Sequence, residues 1–424
     1  MKRWFLLLAC AGLISGCSRY EPIELSPEAV QDGTESAQTE AEDVEPEAEG
    51  EASEPFSEET LSGETAETQE DSIIRINDGD KGGIPYREPV KVKGIYVSAY
   101  VAGTPALMDE IISRVDETEL NAVVIDFKDD NGRITTQVDS AAFNEIDACK
   151  PYVADMKALI QNLKAHNIYV IARVVTFRDP YLAEQKTDWS LKKADGSIYR
   201  DNKGLAWINP YKQEVWDYIV EVGTQAAALG FDEIQFDYIR FAVDSTMKQV
   251  VFDEADTLGR SKTAVITEFT RYIHDKLAPL GVFVSADVFG AIIGSEQDSQ
   301  SVGQIYGEMA GTLDYVCPMI YPSHYGDGNF GLDHPDMHPY ETILNALMKS
   351  KEDLALYLTE EEPQAIVRPW LQDFTASYLK HYIHYGDEEI REQIRAVKDA
   401  GYEEWILWSA ANKYHYDGLE KAAE

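Results

Sequence analysis

The chain has 424 residues, 37 basic against 76 acidic, and a formal net charge of -39. That sign argues against nonspecific nucleic-acid binding and against docking on anionic lipid through basic patches. Hydrophobic residues make up 44% of the chain, ample for a large core, and past the first segment they concentrate beyond residue 90.

Lys2 and Arg3 precede the apolar run Trp4 to Leu8, and small residues follow. This is the pattern of a secretion signal, with an apolar core too short to span a bilayer as a mature helix. The segment Ile14-Ser15-Gly16-Cys17 resembles a bacterial lipobox, which predicts cleavage after residue 16 and lipidation of Cys17. The expectation is a membrane-anchored lipoprotein outside the cytoplasm, at the cell surface or on the periplasmic face. Residues 17–85 read as a disordered acidic tether. Between Cys17 and Asp71 the only base is Arg19, and Phe56 is the only large aromatic after Tyr20. Such a segment cannot bury enough apolar surface to offset its ordering entropy. Of the four cysteines, Cys10 leaves with the signal and Cys17 takes the lipid. Cys149 and Cys317 remain, and their spacing requires no disulfide.

From residue 86 to 424 short β-rich runs alternate with helix-like segments. The runs are Gly94 to Tyr100, Asn121 to Phe127, Ile168 to Val175, Phe231 to Asp237, Val282 to Phe289, Asp314 to Ile320, Ala365 to Leu371 and Glu404 to Trp408. Helices are expected over Val153 to His166, Gln213 to Leu229, Lys262 to Leu280 and Glu388 to Ala400. The fold class is α/β, a (β/α)8 TIM barrel, with a doubly wound open sheet as the alternative. No GxGxxG or GxxxxGK[ST] loop follows the first strand. The long irregular segments follow strands two, three, four and six, on the C-terminal face where barrel active sites form.

Chemistry is therefore sought at the strand ends. In strand four, alternation sets Gln235 and Asp237 opposite Ile234 and Phe236. In strand five it sets Ser285 and Asp287 opposite Val284, Ala286 and Val288. The apolar faces must meet the helices, so both aspartates point into the barrel mouth. Neighbouring strands lie about 4.8 Å apart. Retaining glycosidases hold their two carboxyls about 5 to 5.5 Å apart and inverting ones about 6.5 to 9.5 Å. The retaining spacing follows more naturally, with one carboxylate attacking the anomeric carbon and the other, raised by burial and by its neighbour, protonating the leaving oxygen.

The segment GFDEIQFDYIRF resembles the fourth-strand motif of the alpha-amylase-like barrel hydrolases, whose nucleophilic aspartate ends that strand. More closely, the chain from Lys93 to Ala410 resembles a bacterial family of glycoside hydrolases with this barrel. The segments that carry the likeness are NAVVIDFKDDNG, IYVIARVVTFRDP, DEIQFDYIRF, SADVFG and VCPMIYPSHY. The resemblance implies Asp237 as nucleophile and Asp287 at the acid/base position. The amylase-like clan usually has Glu there, one methylene longer.

Other residues fit sugar binding. Tyr238, Tyr321, Trp370 and Trp408 offer flat faces for pyranose C–H surfaces. Arg240 stands ready to hold Asp237 ionised or to bind an acidic sugar substituent, and Arg173 to reach inward as a charge partner. Gln235 and Asp126 are further substrate contacts, Asp126 for hydroxyls or a cation, while Asp129 and Asp130 read as a solvated loop. Asp373 is a reserve carboxylate. After strand six, His324, His334 and His338 lie among Asp327, Asp333 and Asp336, and His324 is the best sugar contact. Their spacing matches no tight metal motif, so neither metal nor cofactor is expected. The expected activity is hydrolysis of an extracellular or cell-envelope polysaccharide or oligosaccharide. Two alternatives stay open: a catalytically silent glycan-binding barrel, and a metal-dependent hydrolase or deacetylase built on the histidine loop.

Overall fold

A computed structural model describes Pro85, residues 87–359 and residues 364–422. The expected signal segment, Cys17 and the tether lie outside the described residues. Among the described residues no helix is long and apolar enough to cross a membrane.

The barrel strands are β1 (Lys93–Val97), β2 (Ala122–Lys128), β3 (Tyr169–Val175), β4 (Glu233–Asp237), β5 (Phe283–Phe289), β6 (Tyr315–Met319), β7 (Ile366–Val367 and Trp370–Gln372) and β8 (Trp405–Trp408). All pair in parallel in chain order, and β8 returns to β1 through Lys93↔Trp405 and Gly94↔Ile406. The ring is closed, which excludes the open sheet. Strand β7 is split at Arg368 and Pro369 because proline has no N–H to give the ladder. Its carbonyl still accepts from the Ile406 N–H. Strand β1 ends before Tyr100, because the Ser98 hydroxyl accepts from the Val101 N–H and starts a short helix.

The helices that return the chain from one barrel strand to the next are α1 (Pro105–Glu117), α2 (Met156–Ala165), α3 (Gln213–Leu229), α4 (Lys262–Leu277), α5 (Tyr306–Ala310), α6 (Pro339–Tyr357) and α7 (Asp387–Asp399). Their starts follow side-chain chemistry: Asp155 caps α2 and Ser261 caps α4, each accepting from a first-turn N–H. Helix α3 ends at Gly230, whose φ of 104° suits a left-handed cap without a Cβ clash. Connections from helix to strand are short. Those from strand to helix are long after β2, β3, β4 and β6, so the irregular chain gathers at one end of the barrel.

Two cores result from the alternation. Ile234, Phe236, Val284, Ala286 and Val288 pack outward under the helices. Val124, Ile171, Tyr315, Cys317 and Ile406 fill the barrel interior. At the N-terminal end that interior holds a sealed ion cluster. Arg368 donates from Nε to Glu404 at 2.8 Å and from Nη1 to both oxygens of Glu233 at 2.8 and 3.0 Å. Tyr169 also donates to Glu233, and the Arg368 guanidinium lies 3.8 Å from the Tyr315 ring centre.

Candidate active site at the C-terminal mouth

At the opposite end the inward positions of β1 to β5 and the ends of β7 and β8 converge. Arg173, on β3, is the hub and is 2% exposed. Its Nε and Nη2 donate to Oδ2 of Asp237 at 3.0 and 2.6 Å. Its Nη1 donates to Asp126 at 2.7 Å and to Asp130 at 3.2 Å. Burial works against its charge, but Asp130, Asp237 and Asp126 hold it firmly protonated. Asp237 ends β4, and its Oδ1 accepts from the Tyr238 N–H at 2.6 Å. Tyr238 has φ of 55°, a left-handed backbone that costs a non-glycine residue of order 1 kcal/mol. Thr176 and Phe177 secure that turn by donating to the carbonyls of Asp237 and Tyr238.

Asp287 lies on the adjacent strand. Phe236 is in register with Ala286, so Asp237 and Asp287 are the next positions along β4 and β5. The Trp370 indole N–H donates to Asp287 Oδ1 at 2.6 Å. Burial, then the negative charge of Asp237, push the Asp287 carboxyl well above the usual carboxylate range. Asp126 accepts from the Tyr96 hydroxyl at 2.6 Å. Burial raises it to about 6, with Arg173 opposing and Asp130 adding to the rise. Asp130 behaves in the opposite way. Its partial burial is outweighed by Arg173 and Arg178, which hold it well below the ordinary value.

Several expectations change. Asp130 is not a solvated loop residue but a half-exposed partner of two arginines. Asp129 is buried and closes a turn, accepting from the N–H groups of Asn131 and Arg133. Arg173 supplies a fork on Asp237, and Arg240 is buried with its guanidinium 4.4 Å from the Phe289 ring centre and 4.9 Å from that of Tyr238. The Tyr238 ring also carries Arg178 at 3.7 Å, so guanidinium groups already lie against it. Gln235 is fully buried one step below Asp237 and donates to the Cys317 sulfur. Trp370 is 1% exposed, which removes it as a sugar platform. Trp408 is half-buried and stacks on Tyr96 at 4.3 Å. Tyr321 is buried edge-on to His324 at 5.0 Å. The His324 Nε2 is buried without a hydrogen-bond partner, and burial lowers its imidazole to about 4, leaving it neutral.

His334 pairs with Asp327 and stacks on His381, and His338 heads α6. Among the described residues no group of three or more His, Cys, Asp or Glu side chains is arranged to hold a metal ion. Asp373 is engaged by His415 at 2.5 Å. Cys149 and Cys317 are both free thiols. A pocket lined by Gly290, Tyr325 and Lys349 lies among the loops after β5 and β6, and none of the mouth aspartates lines it. Tyr96 is the contributor that alternation alone would have found, as the inward residue of β1. Arg178 carried no signal, because its role depends on how the loop after β3 folds back.

The closed parallel barrel is a TIM barrel, with carboxylates gathered at its C-terminal mouth. Residues 94–414 match the family described as "Putative glycosyl hydrolase domain". The chain belongs to that family and is a glycoside hydrolase. No curated protein matches it significantly. Among solved structures, a hypothetical protein from Ruminiclostridium thermocellum ATCC 27405 is 36% identical, covering 46% of this chain and 97% of its own, with a TM-score of 0.43. The glycoside hydrolase domain of PgaB (BpsB) from Bordetella bronchiseptica is 12% identical, covering 76% of this chain and 95% of its own, with a TM-score of 0.52. That second likeness is one of fold.

Proposed function

We propose that the chain is a retaining glycosidase of an extracellular or cell-envelope polysaccharide, with Asp237 as nucleophile and Asp287 as acid/base. The observation that carries this reading is the contrast between two carboxyls on adjacent strands. Asp237 receives three N–H donors, two of them from a guanidinium, which complement an anion. Asp287 receives an indole N–H, and its burial beside the charge of Asp237 favours the protonated acid. In the first step Asp237 bonds to the anomeric carbon while the C–O bond breaks, and the Asp287 proton passes to the departing oxygen. In the second, Asp287 takes a proton from water as the water oxygen replaces Asp237 on that carbon. The strand separation of about 4.8 Å favours this double displacement over inversion.

The test is hydrolysis of a panel of aryl glycosides and envelope polysaccharides by the wild type and by Asp237→Asn, with the anomer of the first product read by NMR. Cleavage with retained configuration that collapses in the variant supports the reading. A first product of inverted configuration removes the nucleophile role. Glycan binding without cleavage, unchanged in the variant, turns the assignment to a silent binding barrel.

The same reading puts the barrel outside the cytoplasm on a lipid at Cys17, with the acidic tether as spacer. Cys17→Ser is expected to release the protein from the membrane fraction, and retention of that variant on membranes would remove the anchor.

A further inference from the structure

We propose that Trp370 is a positioning residue for the general acid: its indole N–H occupies Oδ1 of Asp287 and confines the acidic proton to Oδ2, the oxygen left to face the glycosidic bond. This rests on the reading of Asp287 as the acid.

An indole N–H can only donate. It needs a lone pair on its partner, and the carbonyl-like oxygen of a protonated carboxyl is the better acceptor. At 2.6 Å the bond is short, so a proton placed on Oδ1 would compete directly with the indole. Trp370 is a direct hydrogen-bond donor to this carboxyl. The donor has little freedom to turn. The ring is 1% exposed and sits edge-on to Trp408 at 5.6 Å, which in turn stacks on Tyr96. The Trp370 backbone is in register with Met319 on one side and Ile406 on the other. A residue whose type suggests a sugar platform thus has no face to offer a sugar, and its one polar atom meets a carboxyl that the proposed chemistry needs. When Asp287 releases its proton, the same N–H meets the charge that develops. That bond favours the ionised form, opposing burial and Asp237, and so tempers the rise that they cause.

The experiment compares the full mature wild type with Trp370→Phe and Asp287→Asn on phenyl, p-nitrophenyl and 2,4-dinitrophenyl glycosides. The dinitrophenolate leaves with little need of an acid, whereas phenol needs one. Asp287→Asn is expected to lose most on the phenyl substrate and least on the dinitrophenyl one. Trp370→Phe is expected to show the same trend more weakly, losing about tenfold on phenyl, a part of what general acid catalysis supplies. The alkaline limb of its pH profile is expected to move upward, because a bond that favoured the carboxylate is gone. A flat leaving-group response in Asp287→Asn overturns the acid assignment. The trend in Asp287→Asn but not in Trp370→Phe overturns the role of Trp370 alone. Should Trp370→Phe fail to fold, the wild type still answers through the indole ¹⁵N–¹H spectrum of the six tryptophans beyond the signal segment. One resonance is expected to titrate with the alkaline limb and to lose that dependence in Asp287→Asn, and the absence of any such resonance overturns the proposal.

Discussion

The barrel carries a buried arginine among carboxylates at each end, and the two clusters differ in what surrounds them. At the N-terminal end Arg368 meets Glu233 and Glu404, and both it and Glu233 are fully inaccessible. At the C-terminal end Arg173 meets Asp126, Asp130 and Asp237, with the Asp130 side chain 42% exposed. The shorter aspartates hold their charges near the strand ends, where the loops after β2, β3 and β4 frame the opening. The longer glutamates reach across a plugged interior. Equivalent charge pairing therefore serves different ends: the sealed cluster can only hold the fold, and the open one can meet a substrate. Retaining a buried ion cluster is weak evidence of stability in itself, since desolvation opposes it, yet removing one partner from a sealed cluster is costly.

Asp237→Asn, at the open end, is expected to give the largest effect. Turnover on whichever glycoside the panel identifies should fall by about 10³-fold or more, with the thermal midpoint little moved. Arg368→Met, at the sealed end, should do the reverse. It leaves Glu233 and Glu404 buried without a counter-charge, so denaturant unfolding should show a loss of about 3–5 kcal/mol. Activity per folded molecule should stay unchanged. Arg173→Lys comes next and tests the comparison most directly. It keeps the charge but not the fork, so turnover should drop by about 10²-fold while stability falls by less than in Arg368→Met, because water reaches Asp130. If Arg173→Lys destabilises more than Arg368→Met and leaves turnover intact, the mouth is a structural cluster and the contrast between the two ends fails.

The sequence made most of the barrel legible because its signals are local. Runs such as NAVVIDF and IYVIARVV announce buried parallel strands by composition, and alternation in FDEIQFD and VSADVF is enough to orient Asp237 and Asp287. Side-chain reach is not local. That Arg173 forks Asp237 while also holding Asp126 depends on neighbours from three strands. Trp370 shows the same limit from the other side. An aromatic at a strand end reads as a platform, but the split in β7 and the packing of Trp408 turn its ring into the barrel wall. Asp130 reads as a solvated residue because a polar run ending in Asn131-Gly132 looks like an exposed turn. Its partner Arg178 arrives only through a loop that returns over β2.

Asp126 sharpens the comparison at its smallest scale. Its folded-state value of about 6 lies above the ordinary 3.8, so the folded protein holds this proton more tightly than the unfolded chain does. The stability this group contributes is present in full below about pH 4 and is lost as pH rises through about 6. In Asp126→Asn the amide carbonyl keeps the Arg173 contact at the Oδ1 position, the NH2 turns to the Tyr96 oxygen in place of Oδ2, and the group cannot ionise. The difference in unfolding free energy between wild type and Asp126→Asn should therefore change between pH 4 and 7 in the variant's favour, by on the order of 1–3 kcal/mol. Taking that difference cancels the other raised carboxyls, such as Asp336, whose burial also lifts it to about 6. A difference flat across that range would mean that Arg173 holds Asp126 ionised throughout, which would leave the mouth cluster as fully charge-paired as the sealed one.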